Sequence, residues 1–174
     1  MVSAITSFDW WLVGRSHEFL IVHPAIATII VFLNYAFVIV LIGVVVAFIF
    51  RTSTHLAVRR THSILFAFHA AVAYLVSRFL GFLYFRPRPF VTHEMIPLIE
   101  MSPLSKSFPS SHALVSFAVA MALLYRDRRW GFAAFALAGL IAITRVLIGV
   151  HYPSDILAGA ALGVVTSMLI KRFA

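Results

Sequence analysis

Charged residues are scarce in this chain, and cysteine is missing altogether. Lys, Arg, Asp and Glu make up 11% of the 174 residues, and only six residues are acidic, whereas 62% are hydrophobic. Soluble domains contain about 25% charged residues, so this composition excludes an ordinary soluble enzyme. Because there is no cysteine, disulfide bonds and thiolate chemistry are excluded as well.

Long apolar runs take the place of that missing polarity, and the mean hydropathy is +1.00. Five runs come close to the ~20 residues that a membrane-spanning helix needs. They cover residues 24–50, 61–85, 110–125, 130–150 and 155–170. We therefore expect an all-α, polytopic membrane helix bundle that forms a single domain over residues 1–174, with the short third and fifth runs borrowing residues from their flanks.

The stretch before the first run does not have the pattern of a cleaved signal peptide. It lacks a basic beginning, and Asp9, Arg15 and Glu18 interrupt its apolar residues. Trp10 and Trp11 belong to the residue type that anchors helices at the level of the lipid headgroups. Residues 5–20 are accordingly predicted to form an interfacial helix.

Basic residues cluster at the ends of the apolar runs. In a soluble protein the net charge of +8 would suggest nucleic acid, but this placement indicates membrane topology and contact with anionic lipid instead. If five spans alternate, eight basic residues share one face: Arg51, Arg59, Arg60, Arg126, Arg128, Arg129, Lys171 and Arg172. The other face has six: Arg15, Arg78, Arg86, Arg88, Lys106 and Arg145. Four of those six belong to or adjoin polar clusters, and the remaining bias of eight to two predicts a cytoplasmic C-terminus.

Three polar clusters interrupt the apolar pattern, and alternating spans bring all of them to the outward face. They are Arg86-Pro-Arg-Pro89, Pro109-Ser-Ser-His112, and Thr144-Arg145 with His151 and Asp155. A lipid-embedded chain tolerates such groups only when they are paired, solvated or functional. Together they supply the cations, amides, imidazoles and carboxylate that phosphoryl-ester cleavage through a histidine requires.

His151 and Asp155 are four residues apart, which places them on one face of a helix. Asp155 would then accept a hydrogen bond from one imidazole nitrogen and leave the lone pair of the other free, as in a nucleophile with its orienting group. The alternative is that Asp155 only caps a helix while His151 lies in the membrane interface.

The basic residues of the clusters are candidates for phosphate binding, because guanidinium groups pair with phosphate oxygens. These candidates are Arg86, Arg88, Lys106 and Arg145. Each of them also has a simpler explanation than phosphate binding. An arginine can extend its charged end to the membrane interface or contact a lipid headgroup, and the lysine can lie on an exposed loop.

The Pro109–His112 segment opens the third run. Ser110 and Ser111 would sit at a helix N-terminus, where unpaired amides bind anions, and His112 can give a proton to a leaving oxygen. Ser110 is also expected to act as an N-cap whichever function holds.

In this order the clusters resemble the three-part signature of the type-2 phosphatidic acid phosphatase superfamily: KxxxxxxRP, PSGH and SRxxxxxHxxxD. The second part carries Ser111 in place of glycine, and the third carries Thr144 in place of serine. In the first part Arg88 and Pro89 match, but Gly81 stands at the lysine position. The resemblance covers about residues 81–163.

The resemblance implies that His151 is the nucleophile, that Asp155 orients it, and that His112 is the acid for the leaving group and then the base for water. It further implies that the phosphoryl oxygens are held by Arg88, Arg145 and the Ser110–Ser111 segment. No metal or cofactor is implied. Arg78, Arg86 or Lys106 would replace the lysine missing at Gly81, and we expect Arg86 to do so.

The small size and the Arg-Pro-Phe-Val run make the chain most similar to bacterial undecaprenyl pyrophosphate phosphatases of the cytoplasmic membrane, which act at its outer face. Phosphatidylglycerophosphate, phosphatidic acid and lipid A phosphatases share the same three parts. The expected partners are therefore a lipid phosphate or pyrophosphate and the surrounding membrane lipid, and no motif sets an oligomeric state.

Two functions of other classes stay open at the level of sequence. One is a metal-dependent hydrolase that uses His112, His151 and Asp155 as ligands, although the many arginines disfavour a cation site. The other is a lipid-binding or transport protein without catalysis, in which the arginines hold headgroups.

Overall fold

Helices form almost all of the described part of the chain, residues 2–52 and 54–173, in the computed structural model. They are α1 (Val2–Val22), α2 (Pro24–Thr52), α3 (Leu56–Leu83), α4 (Pro89–Thr92), α5 (Ser111–Leu124), α6 (Arg128–Leu147) and α7 (Pro153–Phe173). The expected all-α bundle is confirmed, and α2, α3, α5, α6 and α7 correspond to the five apolar runs.

Four of the described helices, α2, α3, α6 and α7, are long and apolar enough to cross a membrane. The fifth, α5, has 14 residues and a length of about 21 Å, less than the ~30 Å of a hydrocarbon core. The third run therefore does not borrow residues from its flanks, and this part of the expectation is wrong. The fifth run does, because α7 begins at Pro153 and ends at Phe173, beyond both ends of the run.

Helix α5 lies at the centre of the bundle and packs against α3, α6 and α7. Its Ala118 and Ala120 are fully buried. Gly159 and Gly163 allow α7 to approach it closely: a Cβ added at Gly159 would lie 2.8 Å from the carbonyl oxygen of Ser110, and one at Gly163 would collide with backbone of α5. Small residues at four-residue spacing permit this backbone approach between membrane helices.

The three polar clusters meet at one end of this bundle. The end of α3, the start of α5, the end of α6 and the start of α7 come together there, as in the backbone hydrogen bond from Ser110 N–H to the carbonyl of Asp155. At the opposite end Asp127 caps the N-terminus of α6 by accepting from two amides. Alternating helices therefore collect the clusters at one face of the bundle.

Helix α1 lies across that same end. Its His17 ring contacts the carbonyl of Ile96 in the loop after α4 at 2.8 Å. Trp11 on the same helix is 58% exposed, and Trp10 stacks on the ring of His93 with 3.5 Å between centroids. The predicted helix is confirmed, extends over Val2–Val22, and brings a polar residue, Asp9, to the clusters.

Candidate active site

Asp155 is completely enclosed in the site, with 0% of its surface exposed. Oδ2 accepts hydrogen bonds from Ser107 Oγ at 2.5 Å and from the Tyr152 amide at 3.0 Å. Oδ1 accepts from Arg86 Nη1 at 2.7 Å. A buried carboxylate with this many donors stays ionised and fixed in direction.

His151 lies beside it, with Nδ1 3.7 Å from Asp155 Oδ2. That distance is an ion-pair contact, longer than a hydrogen bond. On the other side of the ring, Nε2 lies 3.3 Å from Arg88 Nη1, and accepting from it requires a lone pair on Nε2. The geometry therefore favours the tautomer with its proton on Nδ1, facing the carboxylate.

The electrostatic surroundings keep His151 neutral. Burial lowers the pKa of His151 to about 3, and the positive charges of Arg88 and Arg145 act in the same direction, while Asp155 opposes them. A neutral imidazole with an oriented Nδ1–H can present Nε2 as a nucleophile.

Arg88 and Arg145 are buried, at 6% and 2% exposure. Arg88 donates to Ser105 Oγ at 2.7 Å and to the Val150 carbonyl at 2.6 Å. Arg145 donates to Asn34 Oδ1 at 3.3 Å, and its Nε–H has no hydrogen-bond partner among the described residues. Buried donors rarely stay unpaired, so this N–H is suited to an anion that enters the site.

The start of α5 carries the second cluster. Ser110 is fully buried and is the N-cap of α5, accepting from the Ala113 amide, as expected. Ser111 Oγ lies 2.7 Å from Ser77 Oγ of α3. His112, in the first turn of α5, is exposed and faces an apolar groove.

Lys106 reaches this helix start from the loop before it. Its Nζ donates to the Pro109 carbonyl at 2.8 Å and to Ser77 Oγ at 2.9 Å, with Ser111 Oγ at 3.4 Å. Burial, and to a smaller extent the charges of Arg78 and Arg88, lower the pKa of Lys106 to about 8. Lys106 therefore lies in the site and not on an exposed loop.

Arg86 has a different set of partners. It donates to Asp155 Oδ1 and, through Nη2, to Asp9 Oδ2 at 2.8 Å, and it stacks over the Tyr152 ring at 4.0 Å. Burial opposes its charge, but the two carboxylates outweigh it and raise the pKa of Arg86. The structure thus places Arg86 among carboxylates, whereas Lys106 lies against Gly81.

All nine predicted site residues lie at the same end of the bundle, and four further residues join them. These are Asp9, Asn34, Ser77 and Ser107. All four are buried polar residues that touch a predicted one, and they come from α1, α2, α3 and the loop before α5. The only sequence signal for them is a polar residue in or beside an apolar run. Among the described residues, no three His, Asp or Glu side chains converge as a metal site.

A groove of about 490 Å³ leads away from Ser111 and His112. It runs between α2, α3, α5 and α6, and apart from Ser111, His112 and Ser116 its walls are aliphatic and aromatic side chains. Its walls include Leu41, Val45 and Phe66. The site therefore joins a polar end to an apolar channel.

Comparison with known proteins gives one family. The model of the PAP2 superfamily matches residues 62–174. Undecaprenyl-diphosphatase BcrC of Bacillus subtilis is 34% identical over 111 residues, which are 63% of this chain and 57% of BcrC. The putative undecaprenyl-diphosphatase YbjG of Escherichia coli is 37% identical over 63% of this chain and 56% of its own length. The chain thus spans little more than half the length of these curated relatives.

Solved structures share the fold. A transmembrane PAP2 type phosphatidylglycerolphosphate phosphatase from Bacillus subtilis superimposes with a TM-score of 0.71 at 24% identity, over 98% of this chain and 86% of that protein. Aquifex aeolicus LpxE gives a TM-score of 0.66 at 20% identity, over 86% of this chain and 87% of LpxE. The helix arrangement is therefore common to both structures and this chain.

Proposed function

The chain belongs to the PAP2 superfamily, and from that membership we propose that it is an integral-membrane lipid phosphatase. We propose that it removes a phosphoryl group from a lipid pyrophosphate or phosphate through a phosphohistidine intermediate. The favoured reaction converts undecaprenyl pyrophosphate to undecaprenyl phosphate, because the undecaprenyl-diphosphatases BcrC and YbjG are among its relatives.

One observation carries the proposal: His151 is held between a carboxylate and a guanidinium. Asp155 faces Nδ1, and Arg88 lies 3.3 Å from Nε2. A phosphoryl group that binds Arg88 is thereby brought next to the nitrogen that attacks it. Such prepositioning removes much of the entropic cost of the reaction.

In the first step the lone pair of His151 Nε2 forms a bond to phosphorus. The bond from phosphorus to the bridging oxygen breaks, and His112 gives that oxygen a proton, so that undecaprenyl phosphate leaves. Asp155 stabilises the positive charge that develops on the imidazole. Arg88 and the unpaired Nε–H of Arg145 stabilise the charge on the phosphoryl oxygens.

In the second step water attacks the phosphorus of the phosphohistidine. His112, which is now neutral, takes a proton from that water, the phosphorus–nitrogen bond breaks, and its electrons return to Nε2. Inorganic phosphate is released, and His112 is again protonated. The charge stabilisation comes from side chains, so the proposed reaction needs no metal or cofactor.

The apolar groove supports a lipid substrate. It ends at His112, the residue that protonates the leaving oxygen, and the leaving group with its hydrocarbon chain extends from that oxygen. A polyprenyl or acyl chain that enters from the bilayer would fill the groove while its phosphate stays at the polar end.

Multiple apolar helices and membrane relatives make the chain a multi-pass membrane protein. We propose the bacterial cytoplasmic membrane, with the site at its outer face. The support is the charge bias at the end opposite the site. Arg51 near the end of α2 lies there, as do Arg59 and Arg60 in the first turns of α3. The C-terminal Lys171 and Arg172 lie at that end too.

Other lipid phosphates are second candidates, and relatives motivate them. Lipid A 1-phosphatase of Rhizobium johnstonii is 37% identical over 59% of this chain. Phosphatidylglycerophosphate and phosphatidic acid are the other two alternative substrates.

The test is phosphate release by the purified full chain from undecaprenyl pyrophosphate, phosphatidylglycerophosphate, phosphatidic acid and lipid A, with EDTA present throughout. We expect release to be fastest from undecaprenyl pyrophosphate and insensitive to EDTA. His151→Ala should reduce turnover by roughly 10³-fold or more while lipid binding persists. His23→Ala is the matched control, because His23 is exposed and bonds only within α1.

Three results would contradict the proposal. Turnover retained in His151→Ala would eliminate the nucleophile assignment. Activity lost with EDTA and restored with zinc would support a metal-dependent hydrolase. Lipid binding without phosphate release from any of the four substrates would support a binding or transport protein.

A further inference from the structure

Gly81 lies near the end of α3, and the stem of Lys106 crosses directly over it. A Cβ added to Gly81 would overlap Cδ of Lys106, and Cε would also be too close. Gly81 is buried and helical, and it is absent from the residues with positive φ. The backbone there does not require glycine, so the reason for glycine is the space that the lysine stem occupies.

The side chain of Lys106 ends in an ammonium group that lies at the start of α5. Two of its three N–H groups make short hydrogen bonds, to the Pro109 carbonyl and to Ser77 Oγ. The third partner, Ser111 Oγ, is at 3.4 Å, which is a weak contact. One donor is therefore available to an incoming anion, beside the helix N-terminus that also favours one.

The charge environment agrees with that orientation. Lys106 lies close enough to Arg88 and Arg78 for their charges to lower its pKa. Arg88 in turn touches His151. Asp155 offsets part of this repulsion, but three cations face one carboxylate, so the cluster favours a further occupant with negative charge.

We propose that Gly81 and Lys106 act as a coupled pair. Because Gly81 has no side chain, there is room for the stem of Lys106 to cross α3, and the ammonium group can then bind a phosphoryl oxygen of the substrate. This rests on the proposed phosphatase function and deepens it. Lys106 binds the phosphoryl group, and Gly81 is a positioning residue that has no contact with the substrate. The cation is thus supplied from the loop before α5 and not from α3.

If the two residues act as a pair, the effects of their substitutions on kcat/KM should not add. Lys106→Ala removes the cation, and Gly81→Ala displaces it, so each should lower kcat/KM for undecaprenyl pyrophosphate by at least tenfold. The double variant Gly81→Ala/Lys106→Ala should be no worse than Lys106→Ala alone, because non-additivity marks residues that act as a unit. Gly81→Lys/Lys106→Ala, which moves the cation to α3, should recover part of the activity.

Matched controls exclude general damage. Gly139→Ala places a Cβ in open space within α6, and Lys171→Ala removes the other lysine of the chain, at the far end of α7. Alanine favours helix over glycine by about 1 kcal/mol, so Gly81→Ala does not weaken α3 through helix propensity. Both controls should keep wild-type turnover, and Gly139→Ala should unfold no earlier than the wild type.

A second readout does not need turnover. The two lysines can be acylated in the full chain, and the extent at each measured by mass spectrometry with and without inorganic phosphate. We expect phosphate to protect Lys106 and not Lys171 in the wild type, and we expect that protection to disappear in Gly81→Ala.

The combined results separate the two proposals. If the wild type releases no phosphate from any lipid but phosphate protects Lys106 in a Gly81-dependent way, the phosphatase proposal fails and the pair stands. If lipid phosphates are hydrolysed while Gly81→Ala keeps full activity, or the two single effects simply add, the pair is overturned. The pair is also overturned if phosphate leaves Lys106 unprotected in the wild type.

Discussion

Arg86 Nη1 lies 2.7 Å from Asp155 Oδ1, and the same guanidinium holds Asp9 of α1 at 2.8 Å. Asp155 therefore sits between an arginine on one oxygen and the imidazole of His151 near the other. We therefore expect Arg86 to act on the proposed nucleophile through this carboxylate, which is a different role from direct phosphate binding.

The first prediction follows from that arrangement. Arg86→Met should lower kcat by at least about tenfold, equivalent to ~1.4 kcal/mol, and leave KM nearly unchanged, because Asp155 loses the cation that fixes it. Steady-state kinetics on undecaprenyl pyrophosphate provide the measurement, with exposed Arg15→Met as the control. A large rise in KM with kcat intact would instead make Arg86 a phosphate ligand, as the sequence alone led us to expect.

The second prediction concerns pH. Because the pKa of Lys106 is lowered to about 8, its cation is present below that pH and is lost above it. The KM for undecaprenyl pyrophosphate should therefore rise as the pH rises through about 8, whereas loss of the proton that His112 gives to the leaving group would lower kcat. In Lys106→Arg the guanidinium keeps its proton, and the rise in KM should move to higher pH. A rise in KM at the same pH in both proteins would mean that another group is titrating.

The third prediction concerns the groove. Ala70 lines it, whereas its neighbour Ala71 is exposed outside it. Ala70→Phe should raise KM for undecaprenyl pyrophosphate about tenfold, equivalent to ~1.4 kcal/mol, and leave hydrolysis of p-nitrophenyl phosphate unchanged, because only the lipid needs the groove. Ala71→Phe should change neither value. Equal loss on both substrates would show that the phenylalanine disturbs the polar site and not the lipid chain.

The fourth prediction concerns packing. Gly163→Val should lower the free energy of unfolding by about 1–3 kcal/mol, because its Cβ would collide with the backbone of α5 at Leu114. Thermal unfolding in detergent measures it. Gly139→Val, whose Cβ meets open space, is the control. Equal midpoints for these two variants would remove the close α5–α7 contact as a source of stability.

The sequence was sufficient for the helices, because apolar runs near 20 residues define them directly. His151 and Asp155 are neighbours, as their spacing predicts, with 3.7 Å between Nδ1 and Oδ2. They do not share a helix face, however, because α7 begins at Pro153 and His151 lies before it. The start of α4 also had a local signal, Pro89 at its first turn, but a helix of four residues leaves too short a pattern to predict.

The partners of the arginines could not be predicted in the same way. Arg86 meets Asp9 across 77 residues of sequence, and Arg145 meets Asn34 across 111. No periodicity connects such distant positions, because their meeting depends on how α1 and α2 pack against the rest. For the same reason the sequence favoured Arg86 over Lys106: only the fold shows that the lysine stem passes over Gly81.

The match to the PAP2 superfamily begins at residue 62, and all three polar clusters lie inside it. Asp9 and Asn34 lie before it, yet each holds one of the site arginines. A shortened chain that starts at the family match would keep every signature residue and lose both of these supports. The part of the chain that forms a complete site is therefore larger than the part that matches the family. Grafting the signature alone onto another helical scaffold would leave Arg86 and Arg145 without the residues that orient them.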